Sequence, residues 1–203
     1  MPFEPSASVT ATARLATPAD GAACAAIYGP YVAGSAVSFE LDAPSADEMA
    51  ARIGKVMAHW PWVVVEVDGI VRAYAYATRH RDRPAYDWTA ETTVYVDPEF
   101  RARGLGRIAM RALVAVLRLQ GFHLLVAGIT APNPGSVRLH QSLGFERIGE
   151  FEAIGWKFDG WHGVEFWALE LAAREPVPDP VTPIGQLAGT PELDTALRGY
   201  RPA

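Results

Sequence analysis

The chain has 203 residues, of which 50% are apolar and 20% charged, and these proportions are typical of one globular domain. Its formal charge of -5 argues against a broad surface for nucleic acid or anionic membrane, and no apolar run reaches the roughly 20 residues of a membrane span. The single cysteine, Cys24, excludes a disulfide framework and a cysteine-based zinc site. With no signal-peptide pattern at the start, we expect a cytoplasmic protein without a bound metal.

The two ends of the chain differ in composition from its middle. Residues 1–10 are polar and contain prolines, and the stretch 173–203 carries six of the 16 prolines with little periodic apolar pattern. Such stretches favour extended or irregular backbone. We therefore interpret 1–10 as an N-terminal tail, 11–172 as the working domain and 173–203 as a Pro-rich C-terminal tail.

Capping and turn signals define the first half of the domain. The dipeptide Thr17-Pro18 opens an Ala-rich first helix that runs to about Gly34. Ser45 with a glutamate three residues later has the capping-box spacing and starts a second helix. Asp68-Gly69 lies between two apolar runs, so it predicts a hairpin of antiparallel strands.

The second half of the domain alternates strands and helices. The β-branched run 89–96 predicts a strand that stops at Asp97-Pro98, and apolar residues at helical spacing predict a long helix from Gly104 to about Gln120. Further apolar patterns predict a buried strand, a short helix and a final strand or strands, over 122–130, 134–143 and 163–171. The order of elements predicts a mixed α/β or α+β sheet.

The turn before the long helix has the features of an anion-binding site. Gly104 and Gly106 stand at the start of the helix, where unpaired N–H groups and the positive end of the helix dipole favour an anion. Four arginines fall within eleven residues of this acidic protein: Arg101, Arg103, Arg107 and Arg111. A solvated helix face would explain the arginines alone, but the combined pattern favours a phosphate-bearing ligand.

The same glycines fit the dinucleotide fingerprint Gly-x-Gly-x-x-Ala, so an NAD site is an alternative to consider. That fingerprint requires its first glycine close to the end of a strand and an acidic residue about 20 residues later. Here the loop before Gly104 is long, and the next strand ends in Gly128-Ile129-Thr130 without a carboxylate. This context argues against dinucleotide binding.

Several separate motifs resemble one enzyme family. The stretch RARGLG at 101–106 matches the (Gln/Arg)-x-x-Gly-x-(Gly/Ala) loop of the GCN5-related N-acetyltransferase (GNAT) superfamily. AYDWTAETTVYV, PNPGSVRLHQSLGF and GWHGVEFW, at 85–96, 132–145 and 160–167, closely resemble the phosphinothricin N-acetyltransferase group. The resemblance covers about residues 11–171. It implies the GNAT fold, a mixed and mostly antiparallel sheet of about six or seven strands, flanked by about four helices, with splayed central strands that hold acetyl-CoA.

The resemblance also implies which residues bind acetyl-CoA, without a metal. Backbone groups of Val94, Tyr95 and Val96 would contact the pantetheine arm and the thioester. The loop would surround the pyrophosphate, and the residues implied for this role are Ala102, Arg103, Gly104, Leu105, Gly106 and Arg107. Asn133, at the start of the following short helix, is a further implied contact.

Two residues are the implied catalytic groups. A protonated amine cannot attack a thioester, so a base is useful, and Glu91 matches the family's catalytic glutamate. An ion pair to Arg81 or Arg83 without a catalytic role is the alternative. His140 lies where the phosphinothricin group has histidine, and it could either protonate the departing thiolate or accept a proton from the amine. Cys24 has no cationic neighbour in the sequence, so we expect direct transfer without a covalent enzyme intermediate.

The loop 79–86 favours an anionic acceptor, because guanidinium groups bind carboxylate or phosphinate in a bidentate manner. The resemblance implies Arg81, Arg83 and Tyr86 as substrate residues, with Phe39 and Thr93 lining the pocket. The acceptor would be an amino-acid-like amine of the phosphinothricin, methionine sulfone or methionine sulfoximine type. Surface arginines in a solvated loop are the alternative, and the physiological acceptor stays open.

Two other functions remain as alternatives: acetylation of a protein N-terminus or lysine by the same fold, and a non-catalytic acyl-CoA-binding module. Such a module would need neither Glu91 nor His140, and both are present. The last elements are rich in aromatic residues that form either core or a dimer interface, and family members commonly pair there, so we expect a homodimer. These residues are Phe151, Trp156, Phe158, Trp161, Phe166 and Trp167.

Overall fold

The fold is built on one seven-stranded sheet, and the computed structural model describes residues 11–198 of the chain. The predicted tail 1–10 and the last five residues lie outside the described residues. The strands are β1 (Ala11–Leu15), β2 (Trp62–Val67), β3 (Ile70–Arg79), β4 (Thr89–Val96), β5 (Leu124–Ala131), β6 (Glu146–Lys157) and β7 (Gly160–Glu170). The α-helices are α1 (Gly21–Gly34), α2 (Ala46–Val56), α3 (Leu105–Gln120), α4 (Pro134–Gln141), α5 (Ile184–Leu187) and α6 (Pro191–Arg198).

Local capping interactions start the first two helices as predicted. The Asp20 carboxylate accepts the Thr17 N–H at 2.8 Å, in a short turn that leads directly into α1. At α2, the Ser45 hydroxyl accepts the Glu48 N–H at 3.2 Å, and the Glu48 carboxylate accepts the Ser45 N–H at 2.7 Å. These reciprocal bonds satisfy N–H groups that have no partner inside the helix.

The predicted hairpin joins β2 to β3. Asp68 and Gly69 have φ angles of 51° and 77°, the left-handed values that a tight two-residue turn requires. The strands pair antiparallel on either side of this turn. The Asp-Gly signal in the sequence therefore fixes both the turn and the pairing of its two strands.

Helices cover both faces of the sheet. On one face α3 packs against β2, β3 and β4, and on the other α1 packs against β3, β4 and α2. The apolar residues of α3 that the sequence places on one helix face are all buried: Leu105, Ile108, Ala109, Ala112, Leu113, Val116 and Leu117. The α3 side and the α1 side form two separate hydrophobic clusters with the sheet between them.

The sheet opens near its centre. Its strand order is β1-β2-β3-β4-β5-β7-β6, and every neighbouring pair is antiparallel except β4 and β5. These two parallel strands pair only where Thr89–Glu91 lies beside Leu124–Val126. Beyond Glu91 they diverge, which opens a gap that we call the central cleft. The predicted fold class, including the splayed central strands, is confirmed.

The segment after 172 is not simply an irregular tail. Ile184 of α5 is buried, as are Leu193 and Leu197 of α6, which packs against α3. The Thr182 carbonyl accepts a hydrogen bond from the Gln120 side chain at 2.8 Å. The prediction of a tail with little regular structure is therefore wrong for 184–198. These helices have only four and eight residues, too few to produce a clear apolar period among the prolines.

Two further properties concern residues 11–198 as a whole. None of the helices formed there combines the length and the apolar character needed to cross a membrane. In the same range, His, Cys, Asp and Glu side chains form no group of three or more that could bind a metal ion.

Candidate active site

The central cleft is a cavity of about 770 Å³. Residues of the diverging strands form its walls, and the loop before α3 and the first turns of α3 and α4 close it. Most residues that the sequence assigns to the acetyl-CoA site line it: Val94, Tyr95, Val96, Ala102, Gly104, Leu105, Gly106, Arg107 and Asn133. His140 and Thr93 line it as well. The structure thus brings strand, loop and helix residues together around one space.

The loop before α3 has an unusual backbone. Ala102 and Gly104 have φ angles of 61° and 81°, so two residues of the turn adopt the left-handed conformation. Gly104 caps α3, whose first N–H groups have no helical partner. A Cβ on Gly106 would lie 3.2 Å from a Val96 methyl and 3.3 Å from a Leu139 methyl, which is tighter than ordinary packing. Only glycine keeps this wall of the cleft open without displacing its neighbours.

Arginines surround this loop. Arg101, Arg103 and Arg107 are exposed around the N-terminus of α3. The Arg101 guanidinium lies 4.7 Å from the centre of the Tyr31 ring, and the Arg103 guanidinium lies 4.6 Å from that of Phe100. Stacking on aromatic rings restrains both side chains beside the helix end. The loop therefore combines free N–H groups, a helix dipole and cations, as pyrophosphate binding requires.

One edge of β4 is left without a strand partner in the cleft. Over Ala90–Val96 this strand pairs with β3 on its other edge, whereas pairing with β5 stops at Glu91. The Val96 carbonyl accepts a hydrogen bond from the Tyr31 hydroxyl at 2.6 Å, which ties α1 to the end of the strand. Backbone groups of 92–95 that face β5 are thus available to an extended ligand, as β-strand addition requires.

His140 is buried in the wall of the cleft. Its Nδ1 lies 2.9 Å from the Ser136 carbonyl, which can only accept, so Nδ1 carries the proton in the neutral ring. Its Nε2 is buried without a hydrogen-bond partner among the described residues. Burial lowers the pKa of His140, and the bond to the Ser136 carbonyl opposes this only in part. The ring is therefore neutral near pH 7, with a lone pair on Nε2.

Glu91 lies on the sheet face that carries α1 and α2. Side chains alternate along a strand, so Glu91, Thr93 and Tyr95 share that face. The Glu91 carboxylate lies 3.3 Å from Nδ1 of His80, whose ring makes an edge contact with Tyr86. His80 is thus the partner of Glu91, in place of the Arg81 or Arg83 partner considered from the sequence. The sequence offered no signal for this contact, because eleven residues separate the two and only the β3–β4 register brings them together.

The predicted acceptor residues are not gathered in one place. Arg81, Arg83 and Tyr86 are exposed in the loop before β4, and Thr93 lies in the central cleft. Phe39 packs directly against Gly155 of β6 and lies near the ring of His162. The structure therefore does not bring these five residues together in one pocket.

A buried lysine that the sequence analysis missed holds the loop after α1. The Lys157 ammonium donates to the carbonyls of Val32, Ser35 and Ser38, at 2.6, 3.1 and 2.9 Å. Desolvation lowers the pKa of this side chain. The cation also faces the C-terminal end of α1, where carbonyl dipoles favour it. Lys157 therefore fixes the segment from Val32 to Ser38 against the end of β6.

Comparison with known proteins decides the family. Residues 18–145 match the model of the acetyltransferase (GNAT) family. The chain belongs to this family. This GNAT protein is 40% identical over 174 residues, 86% of its length and 94% of the relative's, to a phosphinothricin N-acetyltransferase of Streptomyces viridochromogenes.

Two further comparisons agree with this assignment. The GNAT protein is 34% identical to an L-methionine sulfoximine/L-methionine sulfone acetyltransferase of Salmonella typhimurium, over 79% of this chain and 94% of that one. The crystal structure of a phosphinothricin acetyltransferase from Sinorhizobium meliloti with acetyl-CoA superposes with a TM-score of 0.80 and 34% identity, covering 86% of this chain and 97% of that one. The predicted family and enzyme class are confirmed.

Proposed function

We propose that this GNAT protein transfers the acetyl group of acetyl-CoA directly to the amino group of a small amino-acid-like acceptor. The observation that supports the proposal is that β4 contributes both to the cleft for acetyl-CoA and to the position of the candidate base. The β5-facing edge of β4 opens into a cleft that ends at an anion-binding loop, and the same strand carries Glu91 on the α1 side of the sheet. The relatives named for phosphinothricin and for methionine sulfoximine support this class of acceptor.

The residues present fit acetyl-CoA. The pyrophosphate would lie on the left-handed loop and the first turn of α3, with Arg103 and Arg107 beside it. The pantetheine arm would extend along β4 from Val96 towards Thr93. In this position the thioester would lie between the free edge of β4 and the start of α4, close to His140.

The reaction removes two protons from the acceptor nitrogen and adds one to the departing sulfur. Glu91 takes one proton from the acceptor's ammonium group, and the freed lone pair attacks the thioester carbonyl to form the C–N bond. The oxyanion that develops is stabilised by a strand N–H, and its collapse breaks the C–S bond. The nitrogen loses its second proton as the amide forms, and the sulfur gains one to leave as a thiol.

His140 is suited to carry that second proton. With Nδ1 committed to the Ser136 carbonyl, Nε2 first accepts the proton from nitrogen and then gives it to the sulfur. Direct transfer is also consistent with Cys24, which is buried and whose pKa burial raises to about 12, so it is a poor nucleophile. We propose that His80 holds the Glu91 carboxylate in position for the first transfer.

The acid group of the acceptor would meet the loop before β4. Arg81 and Arg83 are exposed there and supply cations, with Tyr86 packed on His80 beside them. Phe39, which packs against Gly155 and follows the Ser38 carbonyl that Lys157 binds, would border the same space on the other side. This arrangement favours zwitterionic acceptors over polyamines, which are cationic.

We further propose a homodimer and a cytoplasmic location. Ile148, Phe151, Trp156 and Trp161 on β6 and β7 are each more than half exposed, and β6 is an edge strand. Exposed aromatic surface of this extent is typical of protein interfaces. Sedimentation velocity should find a dimer that Trp161→Glu dissociates, and a wild-type monomer would contradict it. The free, buried Cys24 supports a reducing compartment.

Release of free CoA thiol from acetyl-CoA tests the reaction. We expect turnover with phosphinothricin, methionine sulfone or methionine sulfoximine and none with spermidine. Glu91→Gln should lower kcat by about 100-fold or more and change the Kd for acetyl-CoA by less than about twofold. Glu192→Gln, on the exposed face of α6, is the matched control and should behave as wild type. Full activity of Glu91→Gln would exclude Glu91 as the base.

The same assay can distinguish a positioning role of His80 from a role in packing alone. His80→Asn retains an amide N–H near the position of Nδ1, whereas His80→Leu removes it. We expect His80→Asn to restore most of the kcat that His80→Leu loses. Equal loss in both variants would show that the ring matters only for packing.

A further inference from the structure

A second cavity of about 470 Å³ lies on the α1 side of the sheet. Its floor is formed by side chains of β3 and β4, and α2 covers it with Met49 and Val56. Arg79 at the end of β3 and Asp82 in the following loop border it on one side, and Glu40 with Arg52 borders it on another. Its volume lies within the ordinary range of small-molecule sites. We call it the aromatic cavity.

The aromatic cavity adjoins the proposed base. Thr78 and Tyr76 line it, and these residues are the direct cross-strand partners of Glu91 and Thr93. Side chains of paired residues stand on the same face of a sheet, with Cβ atoms about 5 Å apart. Tyr95 lines both the aromatic cavity and the central cleft. A molecule whose amine lies at Glu91 can therefore extend into the aromatic cavity without crossing the sheet.

The walls of the aromatic cavity favour a flat, apolar group. The rings of Trp62 and Tyr76 stack with centres 4.2 Å apart and planes 11° from parallel. Tyr74 and Tyr95 continue this surface, with ring centres 5.6 Å apart. Aromatic groups pack on such surfaces by stacking and edge contacts beyond the burial of area alone.

Two charged groups at the border of the aromatic cavity, Glu40 and Arg52, pair with each other. The Arg52 guanidinium donates to both oxygens of the Glu40 carboxylate, at 2.6 and 2.9 Å. The carboxylate also accepts from the Tyr28 hydroxyl at 3.1 Å. Because these groups satisfy one another, they offer little attraction to an acidic or basic side chain. The other charged groups at the border, Lys55, Arg79 and Asp82, are exposed at its rim, so the interior surface that an acceptor side chain would contact is aromatic and apolar.

We propose that the aromatic cavity receives the acceptor's side chain, and that the preferred acceptors are amino acids or close analogues with an aromatic side chain. This inference rests on the proposed function, since it assumes an amine at Glu91. The acceptor's acid group would then point towards the arginines of the loop before β4, while its ring stacks on Tyr76 and Tyr95.

The test compares acceptors of different side-chain size. For the wild type, kcat/KM for L-phenylalanine and L-tryptophan should exceed that for L-alanine at least tenfold. Val56→Phe places a ring in the aromatic cavity and should lower the ratio of kcat/KM for phenylalanine to that for alanine at least tenfold. Val56→Ala should retain at least half of the wild-type activity on phenylalanine. Ala58→Phe, exposed in the turn after α2, is the matched control and should keep the wild-type ratio.

A binding measurement accompanies the kinetics. N-acetyl-L-phenylalanine, the expected product, should bind the wild type and Ala58→Phe with the same Kd in calorimetry and bind Val56→Phe at least tenfold more weakly. Turnover of phosphinothricin with no preference for aromatic acceptors, or an unchanged ratio in a folded Val56→Phe, would overturn the aromatic-cavity proposal alone. Absence of turnover with every amine would overturn the proposed function and this inference together.

Discussion

The two sides of β4 are built in different ways. On the side of the central cleft, the binding surface consists of a strand edge, a left-handed turn and a helix end, and its loop is one continuous stretch of sequence. On the α1 side, the surface consists of side chains from α1, α2, β2 and β3, and the nearby Lys157 contact joins residues 125 positions apart. A ligand recognised by backbone leaves a local pattern in the sequence, whereas one recognised by assembled side chains does not.

The largest effect should follow from a substitution that fills part of the central cleft, where backbone groups form the binding surface. Gly106→Val would place methyl groups where Val96 and Leu139 already lie within 3.3 Å of an added Cβ. These groups would narrow the cleft where the ligand must approach the first N–H groups of α3. We expect the Kd for acetyl-CoA to rise about 100-fold, or about 2.8 kcal/mol, in isothermal titration calorimetry.

Gly34→Val is the control for this substitution. Gly34 is also a helical glycine, at the end of α1, but a Cβ added there meets no atom within 4 Å. It should therefore keep the wild-type Kd for acetyl-CoA while carrying the same cost in helix propensity. Wild-type affinity in Gly106→Val would show that close backbone approach at this turn is not required.

The contrast also explains which features the sequence predicted. The Thr17-Pro18 helix start, the capping box of α2, the Asp-Gly turn and the apolar face of α3 are short-range patterns, so their residues alone specify them. The loop 101–106 belongs to this class, because a glycine with a left-handed φ and a helix start occur together in sequence. These elements are the scaffold and the cofactor side of the site.

Features that depend on register or on distant packing were not predicted. His80 meets Glu91 only because β3 and β4 pair in one register, and Lys157 reaches α1 only after β6 has joined the sheet edge. Phe39 likewise packs against Gly155, more than 100 residues later. The helices α5 and α6 are too short to show a period, although α3 gives them a surface to pack on. The acceptor side of the site is made of such contacts.

An intermediate effect should follow from removing a side-chain contact on the α1 side of β4. Lys157→Met removes a buried ammonium group and leaves three carbonyls without their donor. Unsatisfied buried carbonyls are costly, so we expect the free energy of unfolding to fall by about 2 kcal/mol in urea denaturation. Because the segment that borders the acceptor would shift, the KM for the amine should rise about tenfold, while the Kd for acetyl-CoA changes less than threefold.

Ser38→Ala separates the lysine contact from the loop's other interactions. This variant keeps the carbonyl that Lys157 binds and loses the contacts of its hydroxyl with the Tyr28 hydroxyl and with the Glu40 N–H. We expect its KM for the amine to rise less than threefold, and Lys157→Arg to recover part of the affinity lost in Lys157→Met. If Lys157→Met weakened acetyl-CoA and amine binding equally, the lysine would be a general structural residue.

The smallest effect concerns His140, in the wall of the central cleft. Burial lowers its pKa in the folded state below the ordinary value of 6.5, so the unfolded chain takes up a proton near that pH while the folded ring stays neutral. Above about pH 6.5 this difference in proton uptake does not affect the free energy of unfolding. As the pH falls from there towards the folded-state pKa, the free energy of unfolding decreases by at most about 1.4 kcal/mol per pH unit. Urea denaturation between pH 7.5 and 5.5 should show this loss in the wild type but not in His140→Gln. His59→Gln, an exposed histidine, should keep the wild-type slope, and an identical slope in His140→Gln would show that the ring is not held neutral.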